Sequence, residues 1–197
     1  MAVDYIGTPA TAKTYVVLLR GINVGGKNKV PMADLRRCLE ALGFTDVSTL
    51  IASGNVIVRT DLHPDDIAAR IEDALPANFG LDDALIRVRV LTREQFHAVA
   101  DNKPPGFGEH PQTYHSDVIF LMGIDCARAM SVFRPRDGVD EVWPGDGVIY
   151  SQRLSSQRTR SRLGQIVGTP EYSSMTIRSW NTTMKLRDLL DTTPDDY

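Results

Sequence analysis

The sequence predicts an α+β protein made of two tandem βαββαβ units, and two observations predict it. Short apolar runs bounded by Gly, Pro or Asn alternate with stretches whose apolar residues recur at 3, 4 and 7 positions. The order of these elements also repeats. Strand, helix, hairpin, helix, strand and an extra helix occur once before residue 103 and once after residue 114. The repeat lies in element order, not in residue identity, and each unit of about 90 residues is long enough to bury a core.

Residues 1–12 read as a disordered lead, and residues 13–102 as the first unit. Tyr15 to Leu19 is apolar on both faces, as a strand covered on two sides would be. After a Gly-rich loop, Pro31 opens a helix with a Leu35, Cys38, Leu39, Leu42 stripe. Gly43 ends it, and Phe44 can fold back on Leu39 in a Schellman stop. Val47 to Ala52 and Val56 to Thr60 form a hairpin through Ser53-Gly54-Asn55, where Gly-Asn reads as a two-residue turn. Pro64 with Asp65 and Asp66 starts a helix that turns Ile67, Ile71, Ala74 and Leu75 inward. Leu85 to Leu91 is a strand alternating with Arg87 and Arg89. Thr92 and Gln95 then form a capping box for a helix carrying Phe96, Val99 and Ala100.

Residues 103–114 hold three prolines and two glycines and read as a linker or long loop. Residues 115–192 form the second unit. Val118 to Met122 is a strand and Asp125 to Val132 a short helix. Val139 to Trp143 and Val148 to Ser151 make a hairpin around Pro144-Gly145-Asp146-Gly147. Thr159 to Val167 is expected as a helix, Met175 to Arg178 as a strand and Trp180 to Leu190 as a helix. A βαββαβ unit is the ferredoxin-like arrangement, an antiparallel sheet with its helices on one face.

Composition narrows the function. An apolar fraction of 42% and a charged fraction of 24% are ordinary for a globular chain, and a net charge of −3 argues against a general nucleic-acid coat. The basic residues are nevertheless clustered. Lys13, Arg20, Lys27 and Lys29 occur without an acid between Thr11 and Ala33, as do Arg153, Arg158, Arg160 and Arg162 between Ser151 and Pro170. Cys38 and Cys126 lie too far apart for a disulfide framework or zinc pattern, so buried free thiols are expected. No signal peptide and no membrane-length apolar run are found, and a cytoplasmic location follows. The four histidines give no metal-ligand spacing, and no Ser or Cys carries a nucleophile signature.

The sharpest local signal is Leu19 to Met32, with three glycines, cations and carboxamides between a strand and a helix start. Such a loop can turn backbone N–H groups toward an anion. Gly21 to Lys27 even fits the start of a Walker A loop, G-x-x-x-x-G-K. Three features oppose it: Asn28 lacks the hydroxyl that would hold Mg²⁺, Pro31 separates the lysine from the helix, and a hairpin follows where a βα unit should. Arg178, Asn181 and Thr182 cluster at the start of the last helix, with Ser179 as its cap.

With these segments placed, the chain resembles the bacterial domain-of-unknown-function family 1697. The resemblance rests on Leu19-Arg20-Gly21-Ile22-Asn23-Val24-Gly25-Gly26-Lys27-Asn28-Lys29-Val30-Pro31-Met32, then Leu42-Gly43-Phe44 and Ser53-Gly54-Asn55-Val56. Its second part is Thr176-Ile177-Arg178-Ser179-Trp180-Asn181-Thr182 with Lys185-Leu186. It spans roughly residues 14 to 190 and implies two ferredoxin-like halves, with no established activity. Ser179 stands where the family usually has Asn, which keeps the cap but removes a carboxamide. Arg162 stands for the family's Lys in Ser161-Arg162-Leu163, which keeps the cation.

The leading expectation is a small anionic or phosphorylated ligand in the cleft between the halves. Arg20, Asn23, Gly25, Gly26, Lys27, Asn28, Lys29, Arg178, Asn181 and Thr182 are its candidate ligand-binding residues. Catalytic residues and cofactor are not assigned. An RNA-binding module ranks lower, because the central strands offer only Tyr15, Phe120 and Tyr150 for base stacking. A plain interaction scaffold would instead bury the marked loops against each other.

Overall fold

The computed structural model describes residues 11–81 and 86–193; the lead at 1–10, the residues 82–85 with Leu85, and the end of the acidic tail lie outside the described residues. The first half runs β1 (Lys13–Arg20), α1 (Met32–Ala41), β2 (Thr45–Leu50), β3 (Asn55–Thr60), α2 (Pro64–Asn78), β4 (Arg87–Thr92) and α3 (Arg93–Asp101). The second runs β5 (Tyr114–Leu121), α4 (Cys126–Met130), β6 (Asp140–Pro144), β7 (Val148–Leu154), three short 3-10 turns, β8 (Met175–Ser179) and α5 (Trp180–Asp191). The result is a mixed α+β fold with two four-stranded sheets, ordered β2-β3-β1-β4 and β6-β7-β5-β8, in which every pairing is antiparallel.

The double-faced apolar strand becomes the centre of the first sheet, and its alternation decides the layers. Tyr15, Val17 and Leu19 face α1 and α2, packing with Leu35, Leu39, Ile67, Ile71 and Leu75. Val16 and Leu18 face the other way, into a middle layer shared with Phe96 and Val99 of α3, Val118 and Phe120 of β5, and Leu186 and Leu190 of α5. Ile119, Leu121 and Ile149 on the far face of the second sheet pack under α4 and the 3-10 turns. The expectation of helices on one face is therefore too narrow, because the two extra helices cover the opposite faces. Tyr150 ties this layer together by donating its hydroxyl to the Val99 carbonyl at 2.7 Å.

Local stop and start signals act as their chemistry requires. Phe44 N–H donates to Leu39 O and Gly43 N–H to Glu40 O, with Gly43 at φ 91°, which is the Schellman pattern. Thr92 and Gln95 exchange both capping-box bonds. Residues 103–114 do more than link, since Phe107 is fully buried among Trp143, Tyr150 and Trp180, with ring centroids 5.2–6.1 Å away. Both cysteines are free and only half-buried.

Two local expectations are corrected. The hairpin loop is four residues, 51–54, because Asn55 is the first residue of β3; Ile51 (φ 48°) and Gly54 (φ 71°) supply the left-handed turns. In place of a helix from Thr159 to Val167 the chain makes 3-10 turns at Ser155–Arg160, Leu163–Gly168 and Pro170–Ser174. Only Leu163 and Ile166 are buried there, and Gly164, Gly168 and Pro170 interrupt any longer helix. The Asp140 carboxylate fixes the path by accepting from Arg136 N–H at 3.0 Å and Arg162 N–H at 2.8 Å.

Arg178 joins the halves. Its guanidinium is 6% exposed and lies where the β1–β3 ladder ends. It donates to Asn55 Oδ1, to Thr176 Oγ1 and Ile177 O at 2.8 Å each, and to Leu19 O at 2.8 Å and Gly54 O at 3.4 Å. Five donors thus meet five acceptors, none of them a carboxylate, and burial lowers its pKa to about 10. Gly54 is required at this junction: a Cβ there would stand 2.8 Å from Leu19 Cβ.

Replacing Arg178 with Ala strands the Leu19 and Asn55 acceptors, while Gly54 O keeps its bond from Leu19 N–H at 2.8 Å, and the expected loss is about 3 kcal/mol in urea unfolding. Both tryptophans pack in the middle layer, so their emission should shift red in the same variant; unchanged stability and emission would show that the staple is unnecessary. For Asp140, burial pushes the carboxyl up, but the Arg162 amide, the Ser161 hydroxyl, the Arg136 amide and the Arg153 charge outweigh it and leave the pKa below the ordinary 3.8. A lowered carboxyl pKa stabilises the fold above the unfolded value and loses that contribution as pH falls through the folded one. Asp117, raised by burial against the opposing pull of His115 and Arg153, acts in the opposite direction. The stability gap between the parent and Asp140→Asn should therefore be wide at about pH 6 and close toward about pH 3; a gap independent of pH would refute the assignment.

Candidate functional site

The Gly-rich loop between β1 and α1 divides into a clasp and a tip. Asn23 (φ 54°) and Asn28 (φ 47°) adopt the left-handed conformation that Asn tolerates best after Gly. The Asn23 carboxamide donates to Val30 O and to Ala52 O, both at 2.9 Å, and accepts from Val30 N–H at 2.8 Å. Asn28 is buried and donates to Gly21 O at 2.7 Å, while its own carbonyl accepts from Asn23 N–H at 2.9 Å. These two side chains close the base of the loop.

Beyond the clasp, Val24 to Lys27 form a tight turn closed by Lys27 N–H to Val24 O at 3.0 Å. Val24, Gly25, Gly26, Lys27 and Lys29 are all exposed. No acceptor among the described residues takes the Gly25 or Gly26 N–H, and a Cβ on either would meet nothing within 4 Å. In the β2–β3 loop, whose Ala52 O takes the Asn23 carboxamide, Ile51 is also exposed although β-branched and at positive φ, a costly pairing of side chain with backbone.

At the foot of the loop the family-like segments of both halves meet around a pocket of about 280 Å³. Arg20, Asn23, Ser53, Tyr172, Thr176 and Arg178 line it. Arg178 and Asn23 are occupied by protein acceptors. Arg20 is less so: Nε donates to Met175 O at 3.0 Å and the guanidinium lies 5.3 Å over the Tyr172 ring, while neither terminal nitrogen has an acceptor among the described residues.

Asn181 and Thr182 do not join this group. Asn181 is exposed beside a separate hollow of about 440 Å³ with Tyr114, His115, Ser116 and Trp180. Thr182 belongs to the start of α5, where its N–H donates to Ser179 Oγ at 3.2 Å. Arg158 and Arg160 are exposed on the first 3-10 turn, and Arg162 is exposed just before the second. Among the described residues no three His, Cys, Asp or Glu side chains converge to hold a metal, and no helix is long and apolar enough to cross a membrane.

Two arginines were not singled out from the sequence. Arg87 and Arg89 alternate with Val88 and Val90 on β4, and the valines face the outer core. The arginines therefore share a sheet face with Arg20, which pairs with Arg87 across the ladder, and that face looks toward the second half. Arg87 donates to Ser174 Oγ at 3.0 Å and Ser173 O at 3.5 Å. The alternation was visible in the sequence; that the polar face would be covered was not.

No curated protein matches the chain. Among solved structures, the conserved bacterial protein SP0830 from Streptococcus pneumoniae shares the fold, with a TM-score of 0.73 at 24% identity over 91% of this chain and 99% of that one. The model of the family described as protein of unknown function (DUF1697) matches residues 12–150, and the chain belongs to that family.

Proposed function

We propose that the protein binds a small anionic, phosphorylated molecule at the seam between its halves, in the pocket at the foot of the Gly-rich loop. The observation that carries this reading is Arg20. Its two terminal nitrogens have no acceptor among the described residues, yet it is held in place from the rear by Met175 O and Tyr172. A fixed guanidinium with open donors suits a planar or tetrahedral oxyanion. Lys27 and Lys29, exposed on the adjoining tip, and the open Gly25 and Gly26 amides supply further positive potential. Asn23, Asn28 and Arg178 shape the site rather than contact the ligand, and Asn181 and Thr182 fall outside it.

The order β2-β3-β1-β4, repeated as β6-β7-β5-β8, supports treating each half as a ferredoxin-like unit, the second with its second helix replaced by 3-10 turns. Two free cysteines and no disulfide among the described residues fit a cytoplasmic setting. The scaffold reading has one observation in its favour: Arg178 spends three of its five donors on Leu19, Gly54 and Asn55 of the other half and the remaining two on Thr176 and Ile177. RNA stacking is disfavoured, because Tyr15, Phe120 and Tyr150 are all buried under helices.

Titration calorimetry with a panel of phosphorylated metabolites tests the proposal. A binding member should lose about tenfold in affinity in Lys27→Ala/Lys29→Ala, with melting unchanged because both side chains are exposed. It should lose more in Arg20→Gln. Heat with no member of the panel, or equal affinity in all three proteins, would leave only the scaffold reading.

A further inference from the structure

A second cleft lies along the free edge of the first sheet, and it holds an arginine that donates to no acceptor among the described residues. Arg89 stands on β4, beside Leu18 of β1, and reaches toward the β6–β7 turn of the other half. A Cβ on Gly147 would be 3.4 Å from its Nη2, so the guanidinium lies against that turn. Its Nε is sealed from solvent and has no hydrogen-bond partner among the described residues. Asp146 and Asp65 attract it through space, but neither bonds to it. Its neighbours on the same seam differ: Arg178 fills all five donors, Arg20 meets Met175 O and Tyr172, and Arg87 meets Ser173 and Ser174.

The space beside Arg89 is built for a small guest. A cavity of about 300 Å³ opens between α3 and the β6–β7 turn, in the size range of ligand pockets, and a shallower one of about 590 Å³ continues past the β4 edge. Leu91, Ala98 and Val99 form an apolar floor. Gln95 has its carbonyl oxygen taken by Thr92 N–H at 3.0 Å, so its NH₂ group is the end left to donate. Asn102 adds a second carboxamide at the rim. A half-buried guanidinium without an acceptor is unfavourable in the empty protein, and its flat fork matches an oxyanion that brings two oxygens.

We infer that this cleft is a second binding site, in which Arg89, with Gln95 and Asn102, receives the carboxylate or phosphate of a small molecule whose apolar body rests on Leu91 and Val99. The site is separate from the Gly-rich loop and does not depend on it. Glu94 and Asp146 also line the cleft, and Asp146, which interacts with Arg89 through space, sets the sign of a further effect, since it repels an anion seated there.

Titrating the full chain with inorganic phosphate and, separately, with butyrate tests this and distinguishes the two oxyanions. One of them should bind saturably, lose at least about tenfold in affinity in Arg89→Gln, and bind tighter in Asp146→Asn. Apo Arg89→Met should melt about 2–4 °C higher than the parent, because it removes an unpaired charge without emptying the space. Neither probe binding, or Arg89→Gln binding like the parent, overturns the inference. So does Arg89→Met melting lower, which would make Arg89 a structural residue. Phosphate binding that disappears in Lys27→Ala/Lys29→Ala but survives in Arg89→Gln belongs to the loop and also overturns it.

Discussion

A guanidinium dissolved in carbonyl oxygens holds this molecule together. Arg178 carries its charge into a site with no carboxylate, and the protein replaces water with Asn55 Oδ1, Thr176 Oγ1 and three backbone carbonyls. That substitution works only if every donor is met, because one unmatched donor at that depth costs a large share of a bond. The geometry then fixes much else. The β1–β3 ladder must end where it does so that Leu19 O is free to accept and Gly54 O, which already takes the Leu19 N–H at 2.8 Å, can turn its second lone pair to Arg178. Residue 54 must be glycine so that the chain can pass Leu19. The Asn55 side chain must be turned by Leu50 O and Ser53 Oγ so that its oxygen faces Arg178.

This gives the two family-like segments a shared physical meaning. Leu19 to Met32 and Thr176 to Thr182 are 144 residues apart at their nearest ends, Met32 and Thr176, and Leu19 to Val24 of the first meets Thr176 to Arg178 of the second across the seam. The carboxamides of Asn23 and Asn28, which read from sequence as ligand contacts, clasp the loop that frames the meeting point. One motif therefore does two jobs. Its buried part is architectural, and its exposed tip and the open end of Arg20 are left for chemistry.

Legibility in the sequence followed how local each cause was. The Schellman stop at Gly43-Phe44 and the Thr92–Gln95 capping box depend on four to six consecutive residues and could be read directly. The doubly apolar Tyr15–Leu19 run announced a central strand for the same reason. The 3-10 turns after Leu154 could not be read that way, since Asp140, from another element, takes the Arg162 amide and holds the path. Phe107 likewise looked like part of a linker until three rings from distant elements closed around it. At the candidate site, sequence showed which residues were unusual, but not whether each faced a ligand or its own backbone. A carboxamide satisfied at 2.9 Å by Val30 O and an open one have the same letter.

The seam has an energetic consequence of its own. Arg20, Arg87, Arg89 and Arg178 all face the space between the sheets, and docking the halves gathers four cations there. Their hydrogen-bond supply runs down in steps. Arg178 is complete, Arg20 and Arg87 are partly met by the Ser173–Met175 segment, and Arg89 has no acceptor among the described residues, its Nε being sealed from solvent. Neutral acceptors can solvate such charges one at a time, but they cannot cancel the repulsion between them. Asp146 and Asp65 attract Arg89 across a gap without bonding to it, and Glu94 lines the same cleft. A fold that needed only to hold itself together would gain by replacing Arg89 with a leucine or methionine. Keeping a cation there makes physical sense if a negative group from outside completes the layer.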